Sequence, residues 1–151
     1  MNNSYVLLFG AFALLLGYKT MTGPVGVRNN NPLNIKFNRA NNWVGQVGAS
    51  EDGIFVKFVS SIYGFRAAMK VLNSYRRRGV VTLEDVIAEW APPHENPHLE
   101  TYINYVSKRT KIGREQKINK SDYPALMAAM SKFETGQEWS ERDINFAYDM
   151  V

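Results

Sequence analysis

The stretch Arg28-Asn29-Asn30-Asn31-Pro32-Leu33-Asn34-Ile35-Lys36 places the tightest limit on how this chain folds. Asn29, Asn30, Asn31 and Asn34 carry side chains that bond to nearby backbone and favour turns over helix interiors. Pro32 drives Asn31 toward an extended conformation. The segment therefore reads as a polar, hydrogen-bonded loop running into a short strand, Asn34 to Phe37. Two roles fit it. It is either a loop that satisfies its own backbone, or the floor of a cleft for a ligand rich in hydroxyls and amides.

The residues before the loop differ in kind. Tyr5 to Tyr18 reads YVLLFGAFALLLGY, with no charge. As a helix it would span about 21 Å, short of the ~30 Å hydrocarbon core unless Asn2–Ser4 and Lys19–Thr22 extend it. Tyr5 and Tyr18 stand where interfacial aromatics sit. A membrane anchor, a signal peptide and a buried helix compete for this segment. Met-Asn-Asn-Ser lacks the positive n-region of a signal, no small-x-small site follows, and a core helix would show a polar face. The preferred division is an anchor over residues 1–20, a Gly-Pro linker over 21–27 and one domain over 28–151. Positive charge follows the apolar segment (Lys19, Arg28, Lys36, Arg39), which would hold the domain on the cytoplasmic side of a bacterial inner membrane. A virion membrane escapes that rule.

At 151 residues the chain suffices for one core, and 45% hydrophobic with 21% charged residues is ordinary for a folded protein. The formal charge of +4 suits an anionic partner without selecting one. The dense basic run Arg76-Arg77-Arg78 closes a helix, where cations complement the dipole, and this argues against specific nucleic-acid binding. With no cysteine, disulfides, thiolate zinc sites and Cys nucleophiles are excluded.

Beyond the loop, Trp43–Val47 and Ile54–Val59 read as strands joined by the Gly48–Gly53 turn. In Ser61–Arg78 the residues Ile62, Phe65, Met69 and Leu72 form one apolar stripe, ended by Gly79. Thr82 opens a short helix with a capping box in which Asp85 replaces Glu. Asn96-Pro97 reads as the start of a helix bearing Leu99, Tyr102, Ile103 and Val106. Ser121-Asp122 starts another, with Leu126, Met130 and Phe133 inward and Gly136 as its stop. Ser140 caps the last, Glu141–Tyr148. The expected fold is α+β, mostly helical, with a small β-hairpin lobe.

Chemistry-bearing residues are few. His94 and His98 are separated by Pro97 and have no carboxylate pair beside them, so no metal site is expected. No phosphate loop or Ser/His/Asp arrangement is present, and no cofactor is implied. Glu134 ends an apolar helix (ALMAAMSKFETG), where partial desolvation would favour its neutral form and suit a general acid; a solvated helix-end glutamate is the alternative. Glu51 and Asp52 lie in the hairpin turn, where acids are common. Glu95 fits a helix cap. Trp43 and Trp90 fit either packing or stacking on sugar.

Together, Asn29-Asn30-Asn31-Pro32-Leu33-Asn34-Ile35-Lys36, Trp43-Val-Gly-Gln46, Phe55-Val-Lys-Phe-Val-Ser-Ser, the helix ending in Tyr75, and Trp90-Ala-Pro-Pro-His-Glu-Asn96 resemble the central block of lysozyme-like cell-wall glycosidases. The manner is that of small virion-associated phage proteins that open peptidoglycan. The resemblance spans Val27 to Val106. It implies a lysozyme-like domain and a glycosidase or lytic transglycosylase. In that superfamily the catalytic Glu ends a helix preceding the loop, as Glu-Ser-Gly. Here no acid precedes the loop, and Phe133-Glu134-Thr135-Gly136 has that appearance instead, which implies a circular permutation. Leu33 stands where relatives have Gly. The resemblance further implies Glu134 as acid, with Glu51 or Asp52 as second carboxylate. If neither reaches, Glu134 performs both proton transfers and yields an anhydro sugar. Asn31, Asn34 and Gln46 would bind N-acetyl groups, and Trp43 or Tyr102 would stack on sugar rings. The implied partners are peptidoglycan, a lipid membrane through residues 5–18 and other virion proteins. The competing class is a non-enzymatic, membrane-anchored structural virion protein. A weaker third reading bridges membrane and genome.

Overall fold

The computed structural model describes residues 23–151, and Pro24 sets where its first helical turn begins. With φ −60° and ψ 146° it sits at the N-cap of a single helical turn, α1 (Val25–Arg28). The expected linker over 21–27 is therefore corrected at its end, because Val25–Arg28 is folded against the domain. Gly26 makes that packing close. A Cβ there would stand 2.7 Å from Asn34 Oδ1, 2.8 Å from the Asn31 carbonyl oxygen and 2.8 Å from Thr135 Cγ2.

The amide-rich loop follows, and Asn31 holds it together. Its Oδ1 accepts from Ile35 N, while Nδ2 donates to the carbonyls of Ile35 and Val56. Asn30 and Asn34 both take φ +51°, a left-handed conformation that asparagine tolerates better than other non-glycine residues. Leu33 is fully buried and anchors the loop in the core. Where a strand Asn34–Phe37 was expected there is one bridge, Lys36 to Phe55.

The hairpin is shorter than its sequence runs. β1 (Gln46–Ala49) pairs antiparallel with β2 (Val56–Phe58), and the register breaks between Gln46 and Gly48. Val47 is the extra residue at that break, and Gly48, at φ +140°, resumes the pairing opposite Lys57. On β2, Val56 and Phe58 point inward and Lys57 outward.

Helices make up the rest. α2 (Ser61–Arg77) buries Phe65, Met69 and Leu72, as its stripe predicts. α3 (Leu83–Trp90) is capped by Thr82, which accepts from Asp85 N. α4 (Leu99–Thr110) begins later than predicted, because Asn96 Oδ1 accepts from His98 N and forms a turn ahead of the helix. A 3₁₀ turn, Lys120–Asp122, leads into α5 (Tyr123–Thr135), which Gly136 ends at φ +69°. α6 (Glu141–Asp149) is capped by Ser140. α5 is the central helix: α1, α2, α4 and α6 all pack on it. Its residues Leu126, Met127, Ala129 and Met130 share one core with Leu33, Val56, Phe65 and Ile103.

The expected fold class, a lysozyme-like domain behind a transmembrane helix, is thereby corrected. The described chain is a mostly helical α+β unit with one two-stranded sheet. Among the described residues no helix is long and apolar enough to cross a membrane. The longest, α2, carries Arg66, Lys70, Arg76 and Arg77. The anchor expected over residues 1–20, with its lipid contact through 5–18, lies outside the described residues.

Candidate active site

Glu134 lies on the last turn of α5 and is only 5% exposed. Both oxygens of its carboxyl are held. The Tyr102 hydroxyl donates to Oε1 at 3.0 Å, and Asn34 Nδ2 donates to Oε2 at 3.1 Å. The second bond joins residues 100 positions apart, so the end of the central helix and the amide-rich loop meet at one carboxyl. Burial pushes the Glu134 carboxyl up to about 7, and the hydrogen bonds from Asn34 and Tyr102 pull against it without winning. Near neutral pH such a group populates both the acid and its conjugate base. It can therefore give a proton and take one back.

Tyr102 comes from α4 and is itself buried. Its ring stacks on Phe133 at 4.0 Å between centroids and 12° between planes. Burial, with Glu134 beside it, keeps the phenol protonated far above its ordinary range, so Tyr102 remains a donor. Asn34 has a different peculiarity. Its Oδ1 is buried and has no hydrogen-bond partner.

The other predicted residues fall into place around this centre, several in changed roles. Asn31 is fully buried and its side chain is bonded within the loop, so its expected contact with sugar gives way to a structural role. Tyr102 is no stacking platform for sugar, because Phe133 covers its face. Asn34 faces Glu134 instead of an open cleft. Gln46 Oε1 accepts from Trp43 N and closes the 43–46 turn. Trp43 packs against the core, its Nε1 buried without a partner.

The structure joins neither proposed second carboxylate to Glu134. Asp52 accepts from Ser50 Oγ and Ile54 N; burial works to raise its carboxyl, but these bonds outweigh it and hold the carboxyl below its ordinary value. Glu51 is exposed in the same turn. That turn flanks an open groove of 790 Å³ lined by Lys36, Phe37, Asn38, Arg39, Asn41, Ala49 and Gly53. The groove begins two residues along the chain from Asn34, yet Glu134 does not line it. Glu95, expected as a cap, bonds to Lys36 at 2.6 Å, which holds its carboxyl below the usual range and ties the Pro-Pro turn to the loop. Among the described residues no group of three or more His, Asp or Glu side chains is placed to hold a metal ion.

Two contributors escaped the sequence reading. The hydroxyl of Tyr102 was missed because nothing local reveals that α4 and α5 pair there. Gly26 was missed because Gly-Pro-Val-Gly has the composition of a linker. No family model matches the chain. Over 114 residues it is 41% identical to "Protein P5" of Pseudoalteromonas phage PM2, a match covering 74% of this chain and 71% of that protein.

Proposed function

We propose that this chain, which belongs to the family of protein P5 of Pseudoalteromonas phage PM2, is a virion-associated protein that cleaves peptidoglycan with Glu134 as its one acid–base group. The observation carrying this reading is the buried carboxyl of Glu134, poised near neutrality between Tyr102 and Asn34. The resemblance of the amide-rich loop and of Phe133-Glu134-Thr135-Gly136 to wall-cleaving glycosidases supports it.

A lone carboxyl favours the transglycosylase outcome over hydrolysis, because hydrolysis is normally assisted by a second carboxylate. Protonated Glu134 gives its proton to the oxygen joining two amino sugars as the C1–O bond breaks. The resulting carboxylate then removes the proton of the C6 hydroxyl on the same sugar. That oxygen bonds to C1 and closes a 1,6-anhydro ring. Glu134 ends protonated, and no water is consumed. Buried hydrogen bonds to a carboxyl that alternates between charged and neutral forms are where such a cycle gains most from a fixed surrounding.

The test is digestion of purified sacculi by the full chain, with fragments identified by mass. Anhydro-terminated fragments are expected, and Glu134→Gln should abolish them while leaving the fold intact. Reducing-end fragments would assign hydrolysis instead. A fully active Glu134→Gln protein would remove Glu134 from the chemistry.

The closure of the site supports a second reading. Both Glu134 oxygens are taken by the protein's own donors, and the groove beside Lys36 does not open onto them. A structural virion protein that binds wall polymer without cutting it would need nothing more. Retention on sacculi without release of any fragment would favour it.

A further inference from the structure

The geometry points to Asn34 as a positioning residue whose amide turns over with the protonation of Glu134, through its unpartnered oxygen. In the arrangement described, both donors aim at the carboxyl: the Tyr102 hydroxyl at Oε1 and the Asn34 amide nitrogen at Oε2. That is the hydrogen bonding of a carboxylate, which accepts only. A protonated carboxyl must also donate. The Tyr102 hydroxyl could accept that proton only by giving up its own bond to Oε1, whereas Asn34 Oδ1 is buried and unpartnered and loses nothing. Rotating the amide by about 180° about its last torsion brings Oδ1 to the carboxyl, a change open to a terminal amide because that torsion has a broad two-fold profile.

The same rotation resolves the far end of the side chain. Oδ1 and the Asn31 carbonyl oxygen both border the space that Gly26 leaves open, 2.7 and 2.8 Å from the point where a Cβ on Gly26 would stand. Oδ1 finds no donor there. After rotation the amide nitrogen enters that space, where the Asn31 carbonyl, which already accepts from Asn34 N, has a second lone pair free. Gly26 keeps the space clear. The groups facing Glu134 are Tyr102 from α4 and Asn34 from the loop, and burial raises the carboxyl to about 7, so the exchange falls in the neutral range.

This extends the role proposed for Glu134 above, but its test reads protonation rather than turnover. Nuclear magnetic resonance of the full chain would follow the Glu134 carboxyl carbon and the Asn34 side-chain nitrogen between pH 5 and 9. The expected result is one shared midpoint, with the Asn34 nitrogen shifting as its bond to the carboxylate is lost and the bond to the Asn31 carbonyl forms. Tyr102→Phe should move that midpoint upward while leaving the two signals coupled. Asn34→Ala should raise the carboxyl midpoint, because the bond lost from the charged form is the stronger of the two. Asn34 signals that stay constant while Glu134 titrates would overturn the inference, and wild-type protein alone suffices to show it. An inactive enzyme with coupled signals would leave the inference standing and remove only the glycosidase reading.

Discussion

Glu134 is buried where a charge is costly, and the cost has a direction in pH. Below the ordinary carboxyl value of 4.5 the group is protonated in both folded and unfolded chains. As pH rises from 4.5 toward 7, the unfolded chain ionises while the folded one keeps its proton, so stability falls. The loss from this group amounts to about 3 kcal/mol and levels off above its folded value. Glu134→Gln removes the dependence. Denaturant melts at pH 5 and pH 8 should therefore show the stability of the Gln variant relative to wild type rising by about 2.5 kcal/mol at the higher pH, and parallel curves would contradict the buried-carboxyl picture. Asn31 offers the opposite contrast. Its truncation to Ala leaves Ile35 N and Val56 O unpaired in the interior, while Ile35 O keeps its bond from Val56 N. The expected destabilisation is about 3 kcal/mol or more. A sugar-binding Asn31 would instead weaken substrate affinity with the melting temperature unchanged. The amide character of this loop was readable from the sequence, but whether each amide faces inward or outward was not. Asn31 and Asn34 are chemically the same, and only the packing of β2 and α5 separates their roles.

Among the secondary elements, those with local signals were readable and those built by packing were not. The apolar stripe of α2, the Thr82 cap of α3 and the Ser140 cap of α6 all lie within a few residues of the structure they specify. α4 starts late because Asn96 spends its side chain on His98 N, a choice between two turn geometries that the residue types alone leave open. α1 is the clearest case of the second kind. Its residues include breakers, its N-cap makes no side-chain bond, and its helical form follows from docking on α5. Gly26→Ala tests this directly. Alanine would favour the helical turn by about 1 kcal/mol. Its Cβ would also sit within 2.8 Å of Asn34 Oδ1, the Asn31 oxygen and Thr135 Cγ2. The clash should prevail, for a net loss of about 1–3 kcal/mol in chemical denaturation. A neutral or stabilising outcome would mean that α1 is not seated against Asn34 and Thr135.

The whole chain converges on α5, and that determines how a substrate would reach the carboxyl. Residues in the first third of the chain supply the loop and α1; residues in the last third supply Glu134. One core containing Leu33, Ile35, Met127 and Met130 binds them. The resemblance touched the loop and the acid as two separate stretches of sequence, and only the folded chain brings them within hydrogen-bonding distance. Cleavage of a wall polymer needs that closed centre to open. Of the elements beside it, α1 is the least secured: it has four residues, where α4 has twelve and α5 thirteen. Segments with few bonds open first, well below the free energy of global unfolding. Hydrogen exchange should therefore find the amides of Arg28 and Asn29, which donate within α1 to Pro24 and Val25, exchanging through a low-energy opening. The amides of Ile35 and Val56, bonded inside the loop and sheet, should exchange near the global value. If all four share the global free energy, the carboxyl stays sealed in the native state and the structural reading prevails. A low-energy opening confined to α1 gives Glu134 a route to its substrate without melting the loop that holds it.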